Sequence, residues 1–378
     1  MSNIMTQFFY IAVMIVSAAF AFHSQKNNML IDTDARQIKA VSYFLAFVVP
    51  CFVIAFTNIG SDYSNYYAII RRLTWDNFAS FSSEEPGINI FFLLVRTLAN
   101  NNIDIAIFIV KVITCALFFI SFYLVREYVK IGYSVIAYLV LVFLPSFYLL
   151  TIALAAGVVS IGMALFIFKK KYILPFLLIL LAAQLHNSAY IFLPVFFAAI
   201  VIQRGKVAGM KRFAFAVAYI LVTFFATKVY TFIQSSVVGF HYNNYGSNSF
   251  KGSGIMILVI YIPLAVIIYP LMRSQLPERL KNLLFVFAMS DGLFYILSYQ
   301  FSVIERMSYY IVPLYSMLFP YVLREIEHDK KEKRFLVFTS MELLIILYLL
   351  FRGYLVFHQR TSIASGVGYY KFFNPFTD

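Results

Sequence analysis

Four ionisable residues stand close to long apolar runs: Asp62, Glu85, His186 and Arg306. Charge beside hydrocarbon is costly, so each is a candidate for chemistry until a structural use accounts for it. Asp62 opens the stretch Asp62-Tyr63-Ser64-Asn65-Tyr66-Tyr67. A carboxylate accepts hydrogen bonds from hydroxyls while tyrosine rings cover the apolar face of a pyranose, so Asp62, Tyr63 and Tyr66 suit sugar binding. A solvated acid beside a tyrosine belt is the plain alternative. In Glu84-Glu85-Pro86-Gly87 two carboxylates precede a proline that favours a helix's first turn. Helix capping accounts for one of them. Like charges that close also disfavour double ionisation, which suits general acid–base work.

His186-Asn187-Ser188 falls between two short apolar runs and reads as the tip of a hairpin. Three polar side chains there are expensive unless they face a cavity, which favours chemistry over the commoner structural histidine. Glu305-Arg306-Met307-Ser308-Tyr309-Tyr310 places a forked, always-charged guanidinium at the start of a span, suited to clamping phosphate. An ion pair with Glu305 or a snorkelling anchor is the alternative. Tyr309 and Tyr310 add ring surface for sugars, and Arg71 and Arg72 form a second possible anion site, although exposed arginines are commonly just solvated. Lys111, Asp291 and Glu342 read as structural, with Lys111 and Asp291 as a pair inside the bundle. No metal site and no cofactor are expected. There is no His-x-x-x-His and no cysteine cluster, Asp32-Thr33-Asp34 lies apart from the other candidates, and no Walker loop is present.

The elements that must position these residues follow from composition. Of 378 residues, 62% are hydrophobic and 12% charged, with 43 Phe and 28 Tyr. The mean hydropathy is +0.82. Soluble domains are about half apolar and about a quarter charged, so this is an all-α polytopic membrane protein. A soluble enzyme, a disordered chain and a disulfide scaffold are excluded. Cys51 and Cys115 sit inside apolar runs as small buried hydrophobes.

A helix needs about 20 residues to cross the hydrocarbon core. The apolar runs predict twelve transmembrane helices: Ile4–Phe22, Ala40–Thr57, Ile103–Val125, Ile131–Tyr148, Ile152–Phe168, Tyr172–Leu185, Ala189–Ile202, Phe213–Ile233, Ile255–Met272, Leu283–Ser298, Met307–Leu323 and Phe335–Phe351. The first is expected to be retained, because no basic residue precedes it as a signal peptide requires. Alternate connections carry Lys26, Arg36 and Lys39; Arg126 and Lys130; Lys169 to Lys171; Arg204 to Arg212; Arg273 to Lys281; and Arg324 to Arg334. By the positive-inside rule these are cytoplasmic, and they absorb almost all of the net charge of +13. Nucleic acid is therefore not an expected partner.

This topology requires Pro86 to Leu98 to stop short of a full crossing, as a re-entrant or interfacial helix within a long first extracytoplasmic loop, residues 58–102. A second such loop covers 234–254, and the tail begins at Arg352. The whole chain, residues 1–378, reads as one transmembrane domain without internal repeats. Asp62, Glu84, Glu85, His186, Ser188 and Arg306 all fall on the outer face.

Asp62-Tyr63-x-x-Tyr66, Glu85-Pro86-Gly87, His186-x-Ser188-Ala189 and Arg306-x-x-x-Tyr310, in this order, resemble the EpsG family of polysaccharide polymerases, which includes O-antigen polymerases of the Wzy type. The resemblance runs from about Asp62 to Tyr310. It implies a GT-C-like glycosyltransferase of the bacterial inner membrane with its active site towards the periplasm. Such an enzyme joins oligosaccharide repeat units carried on undecaprenyl pyrophosphate, a lipid-linked donor and acceptor, in lipopolysaccharide or related surface-polysaccharide biosynthesis; membrane lipid and a chain-length regulator protein are the further partners implied. The implied catalytic residues are Asp62, Glu85, His186 and Arg306, with Tyr63, Tyr66, Arg71, Arg72, Glu84, Ser188, Tyr309 and Tyr310 binding substrate. The family pattern opens the span at Thr151 with a basic residue; this chain has none, so Arg306 is expected to carry more of the phosphate contacts. A lipid-linked oligosaccharide flippase and a sugar acyltransferase using His186 are the rival readings.

Overall fold

A computed structural model describes residues 3–25, 38–59, 62–78, 85–147, 149–203, 208–224, 264, 267–269, 271–272, 276–298, 302–330, 335–360 and 372–376. Glu84 and the loop 234–254 lie outside them, as does most of the pair of spans expected between Phe213 and Met272.

The described residues are overwhelmingly helical, with only isolated bridges in place of strands. That is the outcome lipid enforces, since a helix satisfies its own backbone polar groups where no water can. The helices are α1 (Asn3–Ser24), α2 (Ala40–Ala55), α3 (Tyr63–Arg72), α4 (Pro86–Leu98), α5 (Ile103–Val125), α6 (Ile131–Tyr138), α7 (Leu150–Lys169), α8 (Ile173–Leu185), α9 (Phe192–Gln203), α10 (Ala208–Phe224), α11 (Glu278–Ser298), α12 (Val312–Lys330) and α13 (Phe335–Arg360). Among the described residues, four helices are long and apolar enough to cross a membrane, those within α1, α5, α7 and α11. Shorter apolar helices accompany them, including Ala40–Ala55 and Ile173–Leu185. The protein is an all-α membrane protein.

The chain divides into two compact units: one of residues 1–187, 313–324 and 349–378, the other of 188–312 and 325–348. In the first unit α7 is the hub, packed between α5 and α8. It is apolar on every side, and small residues let its neighbours approach. A Cβ on Gly157 would come within 2.8 Å of Leu117 Cβ on α5, and one on Gly162 within 3.4 Å of Pro175 on α8. Lys170 closes α7 in the left-handed region at φ 53°, and Lys171 N–H returns to Leu165 O at 3.2 Å.

The fourth expected span, continuous from Ile131 to Tyr148, is broken. α6 gives way to a π turn at Leu139–Phe143 and a 3-10 turn at Pro145–Phe147. Pro145 has no N–H to continue the ladder. At the other end of the bundle the basic segments also bind loop backbone: Gln25 Oε1 accepts from Ile131 N–H at 2.6 Å, Lys169 pairs with Glu127 at 3.2 Å, and Arg324 donates to Glu127 O.

α4 is short of a full crossing, as expected. It buries Ile88, Asn89, Phe92, Leu93 and Val95 against α5 and α8 and leaves Ile90, Leu94 and Leu98 exposed at a four-residue interval. Asn100 and Asn101 turn the chain into α5 with φ of 51° and 65°, a region asparagine enters more readily than most residues. Asn102 then caps α5 by accepting Ile105 N–H at 3.0 Å.

α13 departs from expectation at its end. The tail was expected to begin at Arg352, but the helix continues to Arg360. Arg352 is buried, with its guanidinium carbon 5.4 Å from the centroid of the Tyr315 ring. In the second unit α11 packs on α9 and α10. Arg279 Nε donates to Gln203 Oε1 at 2.9 Å, Asn282 Nδ2 to Ile202 O at 3.0 Å, and Arg212 Nε to Asn282 Oδ1 at 2.6 Å.

Gly157→Val overfills the α5–α7 contact and is expected to cost about 1–3 kcal/mol, read as a lower melting midpoint of the purified protein. Gly209→Ala, where a Cβ meets nothing within 4 Å, is expected to leave that midpoint unchanged or raise it.

Candidate active site

α3 and α4 carry the acidic candidates and are tied to each other by Arg96. This α4 side chain donates through Nη1 to the carbonyls of Ile70, Arg71 and Leu73 at 3.0, 3.3 and 2.6 Å. Those carbonyls lie at the C-terminal end of α3, where a helix leaves acceptors unpaired. Arg71 and Arg72 themselves are exposed on the last turn, a favourable place for cations beside the helix dipole.

The other end of α3 is fixed by two tyrosines. Tyr63 OH donates to Asp104 Oδ1 in the first turn of α5 at 2.7 Å, and its ring lies 5.2 Å from Lys111 Nζ. Burial, helped by the Asp104 carboxylate, raises the Tyr63 hydroxyl well above the ordinary tyrosine range. Tyr66 OH and Thr151 Oγ1 are 3.2 Å apart. Burial pushes Tyr66 up to about 12, and the negative charges of both Asp62 and Glu85 act in the same direction. The two acids therefore lie within electrostatic reach of one phenol. The two tyrosines whose rings were expected to cover sugar are, through their hydroxyls, anchors to α5 and α7.

Asp62 occupies the N-cap position of α3, yet its side chain makes no capping bond. Glu85 occupies the same position on α4 and likewise does not cap its own helix. Its carboxylate instead accepts the backbone N–H of Asn187 at 2.9 Å, and the same Oε1 lies 2.8 Å from His186 Nδ1. α8 ends at Leu185, His186 is extended at φ −158°, and a 3-10 turn begins at Asn187. Of the two acids, one of which was expected to cap, Glu85 is not the cap: it holds the tip of the next hairpin in place of its own helix.

Close approach makes this reach possible. A Cβ on Gly87 would stand 2.6 Å from both Cβ and O of Gln184, the residue two before His186. The Glu85-Pro86-Gly87 stretch supplies a clamp, a helix start and a gap for the neighbouring backbone. The imidazole and carboxylate are each about a quarter or less exposed, at 20% and 24%. Shielding from water strengthens the charge interaction without sealing the pair off.

The remaining candidates are in the second unit. Ser188 Oγ and Tyr310 OH, both buried, are 2.7 Å apart. Arg306 lies in a 3-10 helix, Ser302–Tyr310, and the long helix expected to start beside it begins only at Val312. Arg306 and Tyr309 are half-buried, and Met307 and Ser308 between them are buried. The side chain of Glu305 is outside the described residues. Asp291 is buried on α11. Lys111, expected to pair with Asp291, donates its ammonium to the carbonyl of Thr57.

Asp104, Arg96, Thr151 and Gln184 are the positioning residues that sequence reading missed. Their partners are far along the chain, and none carries a local motif. Only Gly87, in a helix start where glycine is costly, hinted at a backbone passing close by.

The chain matches the EpsG family over residues 40–370 and belongs to it. No curated protein and no solved structure matches it.

Gly87→Ala is expected to force α4 off Gln184 and lower the melting midpoint. Glu85→Ala leaves the Asn187 N–H without its acceptor, which costs about 1–3 kcal/mol, and Glu85→Gln, which keeps an acceptor oxygen, is expected to lose less. Thermal unfolding of the three variants checks the order.

Proposed function

We propose that this protein is a glycosyltransferase that polymerises oligosaccharide repeat units carried on undecaprenyl pyrophosphate. It works at the periplasmic face of the bacterial inner membrane, with twelve spans in a GT-C-like arrangement and the first outer loop over the site. Membership of the EpsG family supports the class of activity. The observation that carries the mechanism is the Glu85 carboxylate held between His186 Nδ1 at 2.8 Å and Asn187 N–H at 2.9 Å.

In this mechanism the hydroxyl oxygen of the incoming unit attacks the anomeric carbon of the growing chain. The bond from that carbon to the pyrophosphate oxygen breaks, and its electron pair leaves with the lipid pyrophosphate. The hydroxyl proton must go to a base. Sequence alone offered a carboxylate, Asp62 or Glu85. The place of the Glu85 carboxylate 2.8 Å from His186 Nδ1 favours giving that work to His186, although the ring is not turned to form a hydrogen bond there. With the ring turned so that Nδ1–H donates to Glu85, Nε2 is left as the lone-pair nitrogen, in the manner of a carboxylate-oriented imidazole base. Asp62, beside the Tyr66 phenol, then orients the acceptor by accepting its neighbouring hydroxyls.

Arg306 retains the role its chemistry suggests, neutralising charge on the departing pyrophosphate. Its place in the 3-10 helix beside Tyr309 and Tyr310 supplies ring surface on the same short element. Arg71, Arg72, Glu84 and Ser188 are assigned to substrate binding on residue type. A pyrophosphate is already a good leaving group, so the reaction needs no nucleotide. Direct displacement predicts inversion at the anomeric carbon.

The test is a gel of extracted surface polysaccharide from a deletion strain carrying each variant at normal protein level. Asp62→Ala, His186→Ala and Arg306→Ala are expected to collapse the ladder to core plus one repeat unit. Glu85→Gln is expected to slow elongation by roughly 10²-fold, the scale of general-base catalysis. Full-length ladders from all three alanine variants would sink the polymerase reading. Trapping of lipid-linked units on the cytoplasmic side in the deletion strain would establish the flippase instead. Acyl-label incorporation without growth in chain length would establish the acyltransferase.

A further inference from the structure

Thr57 is held from two sides, five residues before Asp62. On one side Lys111, within α5, donates its ammonium to Thr57 O. On the other side Thr57 forms an antiparallel bridge with Phe372, and Phe373 N–H donates to Phe56 O at 3.0 Å. The C-terminal segment 372–376 is fastened there by rings. Phe372 stacks on Phe56 at 5.6 Å and 5°, and Phe376 meets Phe108 of α5 edge-on at 5.2 Å. Thr57 is 1% exposed and Lys111 2%.

A lysine is an odd choice for this place. Taking an ammonium out of water costs several kcal/mol, and a well-packed apolar side chain in such a position is commonly neutral or more stable. Fold stability alone therefore gives no reason for Lys111. Its ammonium does, however, touch both ends of the segment that carries Asp62: the Thr57 carbonyl before it and the Tyr63 ring, 5.2 Å away, after it. Tyr63 is anchored in turn by Asp104 at 2.7 Å. A point charge with rotatable donors can serve a carbonyl and a ring face together, which no apolar side chain can.

We propose that Lys111 and the C-terminal segment 372–376 are positioning elements for the transferase site: together they clamp Thr57, and Lys111 also braces Tyr63, the first residue of the helix that Asp62 precedes. This inference rests on the polymerase reading for its catalytic consequence, while the clamp itself is a property of the fold. Neither element touches substrate. Displacing Asp62 by about 1 Å is enough to cost on the order of 10²-fold in turnover.

The experiment uses the full-length protein in lipid nanodiscs, with lipid-linked repeat units as substrate, and compares Lys111→Met, Lys111→Arg and a chain ending at residue 371. Lys111→Met and the truncation are expected to lower kcat for elongation about 10- to 100-fold with KM for the lipid-linked donor unchanged. The melting midpoint is expected to hold or rise in Lys111→Met, and Lys111→Arg, which keeps a cation, to recover part of the rate. Amide hydrogen exchange is expected to quicken in peptides covering residues 57–66 of both variants, with α7 unchanged. Wild-type kcat in Lys111→Met and the truncation would overturn the proposal, as would exchange at 57–66 equal to wild type. A rate loss that tracks a falling melting midpoint or rising exchange in α7 would also overturn it, since that is a general packing defect. If the wild-type protein itself fails to elongate, the polymerase reading fails, and the exchange data alone then decide whether the clamp exists.

Discussion

The carboxylate of Glu85 is bonded away from the helix it begins, and much of the site's geometry follows from that. A glutamate at a helix start ordinarily finds its nearest donors among the first N–H groups of its own helix. Here it bonds to the first N–H of the 3-10 turn after α8 and lies against His186 Nδ1. For that to happen α4 must approach α8 to backbone distance, which Gly87 permits by presenting no Cβ to Gln184. α3 must then follow α4, and Arg96 enforces this by binding three carbonyls at its end. The same packing brings a carboxylate within 2.8 Å of an imidazole nitrogen, which places an acceptor beside a group able to carry a proton.

A membrane interior makes such side-chain bonds unusually decisive. Where a soluble loop would leave spare donors and acceptors to water, this chain closes them with its own groups: Asn102 on α5, Gln25 on the turn before α6, Asn282 on α9. Basic residues take part in the same closure. Lys169 and Arg324 both bind Glu127, one through its carboxylate and the other through its carbonyl. Lys111 differs from these, because it sits inside an apolar helix long enough to cross a membrane.

The tyrosines have two uses at once. Tyr63 and Tyr66 present rings beside Asp62, yet their hydroxyls are engaged with Asp104 and Thr151. With their hydroxyls shifted upward by burial, both phenols stay protonated and act as neutral hydrogen-bonding groups. Rings that are already fixed lose little side-chain entropy when a ligand packs on them. Thr151, at the start of α7, is an anchor for Tyr66.

The amino-acid sequence by itself determined the all-α membrane class, the short helix from Pro86 to Leu98 and the break at His186. These depend on local quantities: run length against bilayer thickness, proline at a first turn, polar residues interrupting apolar ones. It also marked Asp62, Glu85 and His186 as worth a reason, because charge near lipid is costly wherever it sits. What it could not contain was the pairing. Glu85 and His186 are separated by 101 positions, Tyr63 and Asp104 by 41, and Lys111 and Thr57 by 54. No periodicity encodes contacts at such distances, so only the packed helices decided that Glu85 would reach the hairpin tip at His186 and Asn187, and that Lys111 would bind a backbone carbonyl. The C-terminal segment shows the same division. In sequence it is part of the tail expected from Arg352, and only tertiary structure stacked Phe372 on Phe56, because aromatic contact needs a partner surface that another part of the chain must build.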